Sequence, residues 1–160
     1  MAGATGDLEQ PTPCDEWDVR TLMNHMLDTQ RYFTGVARGD EAALPSPSPP
    51  ALIGDDPVGA FEQGRAAMLR AFGAPGAVEK TGPALGIAFA DQLLHGWDLA
   101  RATAQDATMP DGLAATAYGF VHGRFTDEQR KGVFKPAVPV PASSSAQDRL
   151  LAYTGRDPAS

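Results

Sequence analysis

Residues 84–103 constrain the fold more than any other part of the chain. Leu85, Ile87, Phe89, Leu93, Leu94, Trp97 and Leu99 spread apolar side chains around most of this segment's circumference. A helix of that kind has to be largely buried, so other elements must surround it. The flanking sequence offers helices for the purpose. Val19, Leu22, Met23, Met26, Phe33 and Val36 recur at helical spacing up to about Arg38, with Gly39 as the stop. Asp15 followed by Asp18 predicts an N-cap with an acidic residue near N3, and places Trp17 in the first turn. Asp56-Pro57 predicts a second helix begun by a cap and an N1 proline. Its stripe is Val58, Phe61, Met68, Leu69 and Phe72, its stop is Gly73, and a Gly/Pro loop follows.

Pro110 opens a further predicted helix through Leu113, Ala117, Phe120 and Val121, fading near Arg124. Residues 147–153 predict a short closing helix, with Thr154-Gly155 as its stop. Two proline-rich stretches, 45–57 and 133–141, cannot be regular structure. Proline fixes φ and removes a donor, so the first is an exposed loop and the second an extended segment that cannot pair as an interior strand. No internal repeat and no convincing strand pair remains. The expected fold is all-α, in one domain over residues 1–160.

Composition narrows the function classes. A formal charge of −7 argues against a nucleic-acid partner, whose phosphates demand a basic face. The longest apolar run falls well short of the roughly 20 residues that cross a bilayer. The N-terminus has neither a basic region nor an apolar core of the secretory kind, which predicts a cytoplasmic protein. The single Cys14 cannot form an internal disulfide, and a cysteine-rich zinc finger is excluded by count. Phosphate-loop, serine-elbow and zinc-protease motifs are absent. Cys14, in a proline-flanked turn just before a helix, becomes a nucleophile only if a base approaches it.

What remains is a polar strip on the apolar helix. Residues i and i+4 differ by about 40° around a helix axis, so Asp91 and His95 stack on one face, and Asp98 falls on it too. Burying these groups without compensation costs on the order of several kcal/mol. His25, on the first helix, lies roughly 80° from the centre of its apolar stripe, a flank position that can point into an interhelical cleft. Two histidines and one carboxylate from two helices would hold zinc, nickel or iron and leave positions open for water or substrate. The bland readings stand beside this one. Asp91 and His95 could form an ordinary ion pair, and His25 could be a satisfied flank histidine. Asp98 could orient a ligand histidine, or pair with Arg101 or a backbone N–H. His122, alone on its helix, reads as structural, and Trp17 and Trp97 as packing groups.

Several separated motifs resemble one family. Pro11-Thr-Pro-Cys-Asp-Glu-Trp-Asp-Val-Arg-Thr-Leu-Met-Asn-His25 is similar to the start of actinobacterial metal-binding proteins of the DinB-like, maleylpyruvate-isomerase-like superfamily. Asp91-Gln-Leu-Leu-His-Gly-Trp-Asp-Leu-Ala-Arg-Ala-Thr103 resembles its second signature. Val138-Pro-Val-Pro-Ala and Asp148-Arg-Leu-Leu-Ala-Tyr-Thr-Gly-Arg-Asp-Pro158 resemble its ending. The resemblance spans roughly residues 10–158 and implies a helical bundle with a metal held by His25, Asp91 and His95. Related members are thiol-dependent isomerases and transferases that use mycothiol or bacillithiol. The resemblance thus implies a metal-dependent, enzyme-like protein with zinc as the first candidate ion and mycothiol as co-substrate, acting on a small molecule. The alternatives are a non-catalytic helical binding or interaction protein, or a metal-independent tailoring or binding protein for a hydrophobic metabolite. Family members normally carry a helix before the Pro-Thr-Pro-Cys segment, and residues 77–84 are shorter than usual. A bundle lacking or shortening that helix would expose apolar surface, which predicts a homodimer or a rearranged bundle.

Overall fold

The structure is a computed structural model that describes residues 6, 8–14, 17–110, 112–131 and 133–159. Among these residues it is all-α, with one isolated antiparallel bridge between Pro11 and Asp18. Helix α1 spans Val19–Arg38, α2 Pro57–Phe72, α3 Ala77–Thr81, α4 Ala84–Ala102, α5 Leu113–Val121, α6 Asp127–Arg130 and α7 Ala146–Tyr153. No helix is long and apolar enough to cross a membrane among the described residues.

The cap of α1 is Asp18, whose carboxylate accepts from the Thr21 N–H at 2.8 Å. Such a cap contributes about 1 kcal/mol. The expected cap, Asp15, lies outside the described residues. Trp17 precedes the helix instead of occupying its first turn, because the chain there folds back on itself. The N–H groups of Thr12 and Val19 donate to the carbonyls of Trp17 and Gln10, at 3.1 and 2.9 Å. Thr12 Oγ1 adds bonds to the carbonyls of Cys14 and Trp17, and this knot sets the direction of Cys14. At the other end Gly39, at φ 83°, closes α1 as expected.

Helix α2 begins and ends where the sequence places it, with Asp56 capping the Gly59 N–H. Gly64 lets it lie against α1, since a Cβ there would collide with the Gln30 side chain. Leu69 does not join the stripe: it is 58% exposed, and Ala71 and Phe72 take the buried positions. The predicted Gly/Pro loop after Gly73 contains the short helix α3. Helix α5 starts after Gly112 rather than at Pro110, and buries Ala114, Ala117 and Val121. Leu113 and Phe120 are on its outer side, although the Phe120 ring packs over Gly86 of α4.

Helix α4 is the central element. It packs on α1 and on α5, and α5 in turn packs on α7. One apolar cluster joins Leu94 and Trp97 to Val121, Leu150 and Leu151; another joins Leu22, Met23 and Met26 to Ile53 and Leu99. The proline-rich loop is anchored to α1. Asn24 Oδ1 accepts from the N–H groups of Leu52 and Ile53, and Asp28 Oδ2 accepts from that of Ser46. The C-terminal proline-rich segment forms no strand among the described residues; it begins in a turn, with the Val133 and Phe134 N–H groups donating to Arg130 O, and its Val138 N–H donates to Ala152 O of α7 at 2.9 Å.

Candidate metal centre

His25 and the Asp91/His95 pair meet across the α1–α4 interface. Asp91 Oδ1 lies 3.7 Å from His25 Nε2 and 3.5 Å from His95 Nε2. Their ring centroids are 4.8 Å apart, and Trp17 lies against His25 at 4.6 Å, so this tryptophan lines the site. These separations are long for hydrogen bonds. They are close to the spacing of donors around a shared ion: atoms about 2.1 Å from a tetrahedral zinc stand about 3.4 Å apart. The donor chemistry suits a borderline divalent metal, with two imidazole nitrogens and a carboxylate oxygen. The other carboxylate oxygen is held in place. Asp91 Oδ2 accepts from Gln92 Nε2 at 3.1 Å, and Gln92 Oε1 accepts from Gln30 Nε2 at the same distance. His25 Nδ1 is buried with no hydrogen-bond partner.

On its other side His95 meets a second carboxylate. His95 Nδ1 is 3.0 Å from Asp98 Oδ2, and Cys14 Sγ donates to the same oxygen at 3.1 Å. Of the readings open for Asp98, its contact with His95 is the one that orients a ligand histidine. Arg156, which follows α7, is a further partner that the sequence did not suggest: its Nε donates to Asp98 Oδ1 at 2.8 Å and its NH2 to Oδ2 at 2.6 Å. Asp98 has no exposed surface, so a bidentate guanidinium is the compensation that its burial requires. Cys14 Sγ is 3.7 Å from His95 Nδ1 and 3.8 Å from Arg156 NH2. An imidazole is therefore beside the thiol, but its carboxylate neighbours hold it protonated, so it is not a base for Cys14.

Cys14, His95 and Asp98 could also be read as a metal-binding trio. Arg156 distinguishes the two trios: in one its guanidinium bonds to Asp98 and lies against Cys14, while in the other it acts on Asp91 only through its charge.

Burial by itself would disfavour charge on these groups, but their partners outweigh it. The Asp91 carboxylate, Asp98 and Cys14 push His95 up to about 10. The charges of His95 and His25 hold Asp91 below the ordinary carboxylate range. Arg156 and His95 hold Asp98 well below it. Without a metal, His95 is an imidazolium between two carboxylates.

The cluster forms the floor of a cavity of about 640 Å³. Above it the wall is largely apolar, with Tyr32, Phe33, Ile87, Val121, Phe125 and Phe134, and Leu44, Pro45 and Val133 lie among the lining residues. His122 is elsewhere. It ends α5, exposed and stacked on Tyr118 at 4.6 Å, and does not line the cavity.

Sequence reasoning missed Arg156 as a member of the site. Its only signal was membership of the C-terminal motif, since 58 residues separate it from Asp98. Gln92 and Gln30 were missed as well, although Gln92 adjoins Asp91 in the chain.

The family model for the mycothiol maleylpyruvate isomerase N-terminal domain matches residues 1–116. That range contains His25, Asp91, His95 and Asp98, and stops short of Arg156. Two uncharacterized proteins of Mycobacterium tuberculosis, from strains CDC 1551 / Oshkosh and ATCC 25618 / H37Rv, are each similar at 28% identity over 159 residues. The alignments cover 91% of this chain and 83% of each relative. No solved structure matches the chain.

Proposed function

Since the chain belongs to the mycothiol maleylpyruvate isomerase N-terminal domain family, we propose that it is a divalent-metal protein acting as a thiol-dependent transferase or isomerase on a small molecule. His25, Asp91 and His95 are the proposed ligands, and Asp98 the group that orients His95. The observation that carries this reading is the approach of Asp91 Oδ1 to both Nε2 atoms on the floor of the cavity. Zinc suits the donor set first, with nickel and iron as alternatives. A bound ion would supply Lewis acidity and lower the pKa of a coordinated water or thiol. The chain's own residues do the rest. Asp98 holds the imidazole through Nδ1, leaving Nε2 directed at Asp91. Gln92 keeps Asp91 Oδ2 occupied, and the apolar wall excludes water from an occupant.

Metal analysis of the purified protein tests the site. Stoichiometric zinc, nickel or iron, lost in His25→Ala, is the expected result; a His25→Ala protein with full metal content overturns the assignment. Turnover in the presence of mycothiol and its absence with other thiols tests the co-substrate. The apolar wall favours a second reading, a metal-independent binding protein for a hydrophobic metabolite. Undiminished ligand binding after chelation would select it. The proposal includes a cytoplasmic homodimer, supported by the exposed Leu69, Val78 and Phe120 and tested by solution mass.

A further inference from the structure

We propose that Arg156 is a built-in cation that reserves the Nδ1 side of His95 for Asp98, and so confines a divalent metal to the Nε2 side. The inference rests on the metal reading above, and concerns which of two overlapping trios an ion can use. Both trios share His95, and in both every donor is within 4.8 Å of the others. Chemistry alone would favour the Cys14/His95/Asp98 trio for zinc, because it offers a thiolate where the other offers only nitrogen and oxygen. The guanidinium reverses that preference. It spans both oxygens of Asp98 and reaches Cys14 Sγ with the same NH2 group, so an ion on that side would have to displace it. Arg156 is itself fixed, with NH1 donating to Thr154 Oγ1 at 3.2 Å. The tail behind it is set by Gly155, at φ 82°, where a Cβ would strike the Lys135 backbone. The hydrogen bonds of Arg156 go to Asp98, Thr154 and Cys14, while Asp91 feels it only through its charge, so it acts as a positioning residue through Asp98.

Cobalt(II) substitution of the whole chain reads the choice directly, because a cysteine ligand adds a sulfur-to-cobalt charge-transfer band in the near ultraviolet. The wild-type protein should bind one cobalt with no such band, and Cys14→Ser should leave its spectrum unchanged. Arg156→Gln, which keeps a donor but removes the cation, should acquire the band, and the double variant with Cys14→Ser should lose it. Arg156→Lys keeps the charge and should retain the wild-type spectrum, which a purely structural role would not predict. A charge-transfer band in the wild type overturns the inference while leaving a metal protein. So does a folded Arg156→Gln protein whose cobalt spectrum and affinity match the wild type. If Arg156→Gln fails to fold, the wild type and Cys14→Ser still decide through the presence or absence of the band. A wild-type chain that takes up no cobalt overturns both the metal reading and this inference.

Discussion

On the Nδ1 side of His95, Asp98 is fully buried, gripped by the Arg156 fork and by the Cys14 thiol. On the Nε2 side, Asp91 is partly exposed, faces a second imidazole and opens onto the cavity. The ingredients are the same, one carboxylate against one imidazole, yet the outcomes differ. What separates them is where the counter-charge comes from. A guanidinium bonded to Asp98 makes the first contact a fixture; at the second, Asp91 faces the imidazolium with no bonded guanidinium, which on the proposed reading leaves it available to an ion from outside. The two sides also come from different parts of the chain: the open one lies wholly within the family match, and the closed one draws its cation from beyond it.

The largest expected effect is on the closed side. Arg156→Ala leaves the buried Asp98 carboxylate with only His95 and the Cys14 thiol as partners, and should cost about 3–5 kcal/mol of stability. Denaturant unfolding of the metal-free protein measures it, and a loss under about 1 kcal/mol would mean that the closed side is not held by its ion pair. On the open side, His25→Ala should weaken metal binding by more than about 100-fold, since losing even an outer partner of a ligand costs about 10–100-fold. Asp98→Asn crosses between the sides and should fall in that 10–100-fold range. Equal losses for the two variants in competitive chelator titrations would erase the distinction between ligand and orienting group.

The smallest effect is a pH dependence. Folding raises the His95 pKa from 6.5 to about 10, so the stability gained from its charge is complete below pH 6.5 and is lost as pH rises through about 10. A metal requires the neutral imidazole and therefore gains as that proton leaves. The metal-dependent increase in melting temperature should thus widen between pH 6.5 and 10. A gap that narrows over this interval would remove His95 from the ligand set.

Helices α1, α2 and α7 were legible because Gly39 closes α1, Asp56-Pro57 opens α2 and Thr154-Gly155 ends α7, and α4 because apolar residues surround most of its circumference. Helices α3 and α6 are too short to show a period. The stripes misplaced Leu69, Leu113 and Phe120 because periodicity identifies a face but not what covers it. In the site, Asp91, His95 and Asp98 were readable from spacing on one helix, and His25 from its flank position together with the motif resemblance. Arg156 was not readable by such means. Its contact depends on how the segment after α5 turns back along α7, a tertiary course that local pattern does not carry.

The stretch of α1 that carries His25 also anchors the loop that contributes Leu44 and Pro45 to the cavity lining. Asn24 grips Leu52 and Ile53, and Asp28 grips Ser46, immediately after the lining residues Leu44 and Pro45. His25 and the loop that contributes Leu44 and Pro45 to the cavity are thus held by one stretch of α1, so a displacement of that stretch would move ligand candidate and lining together.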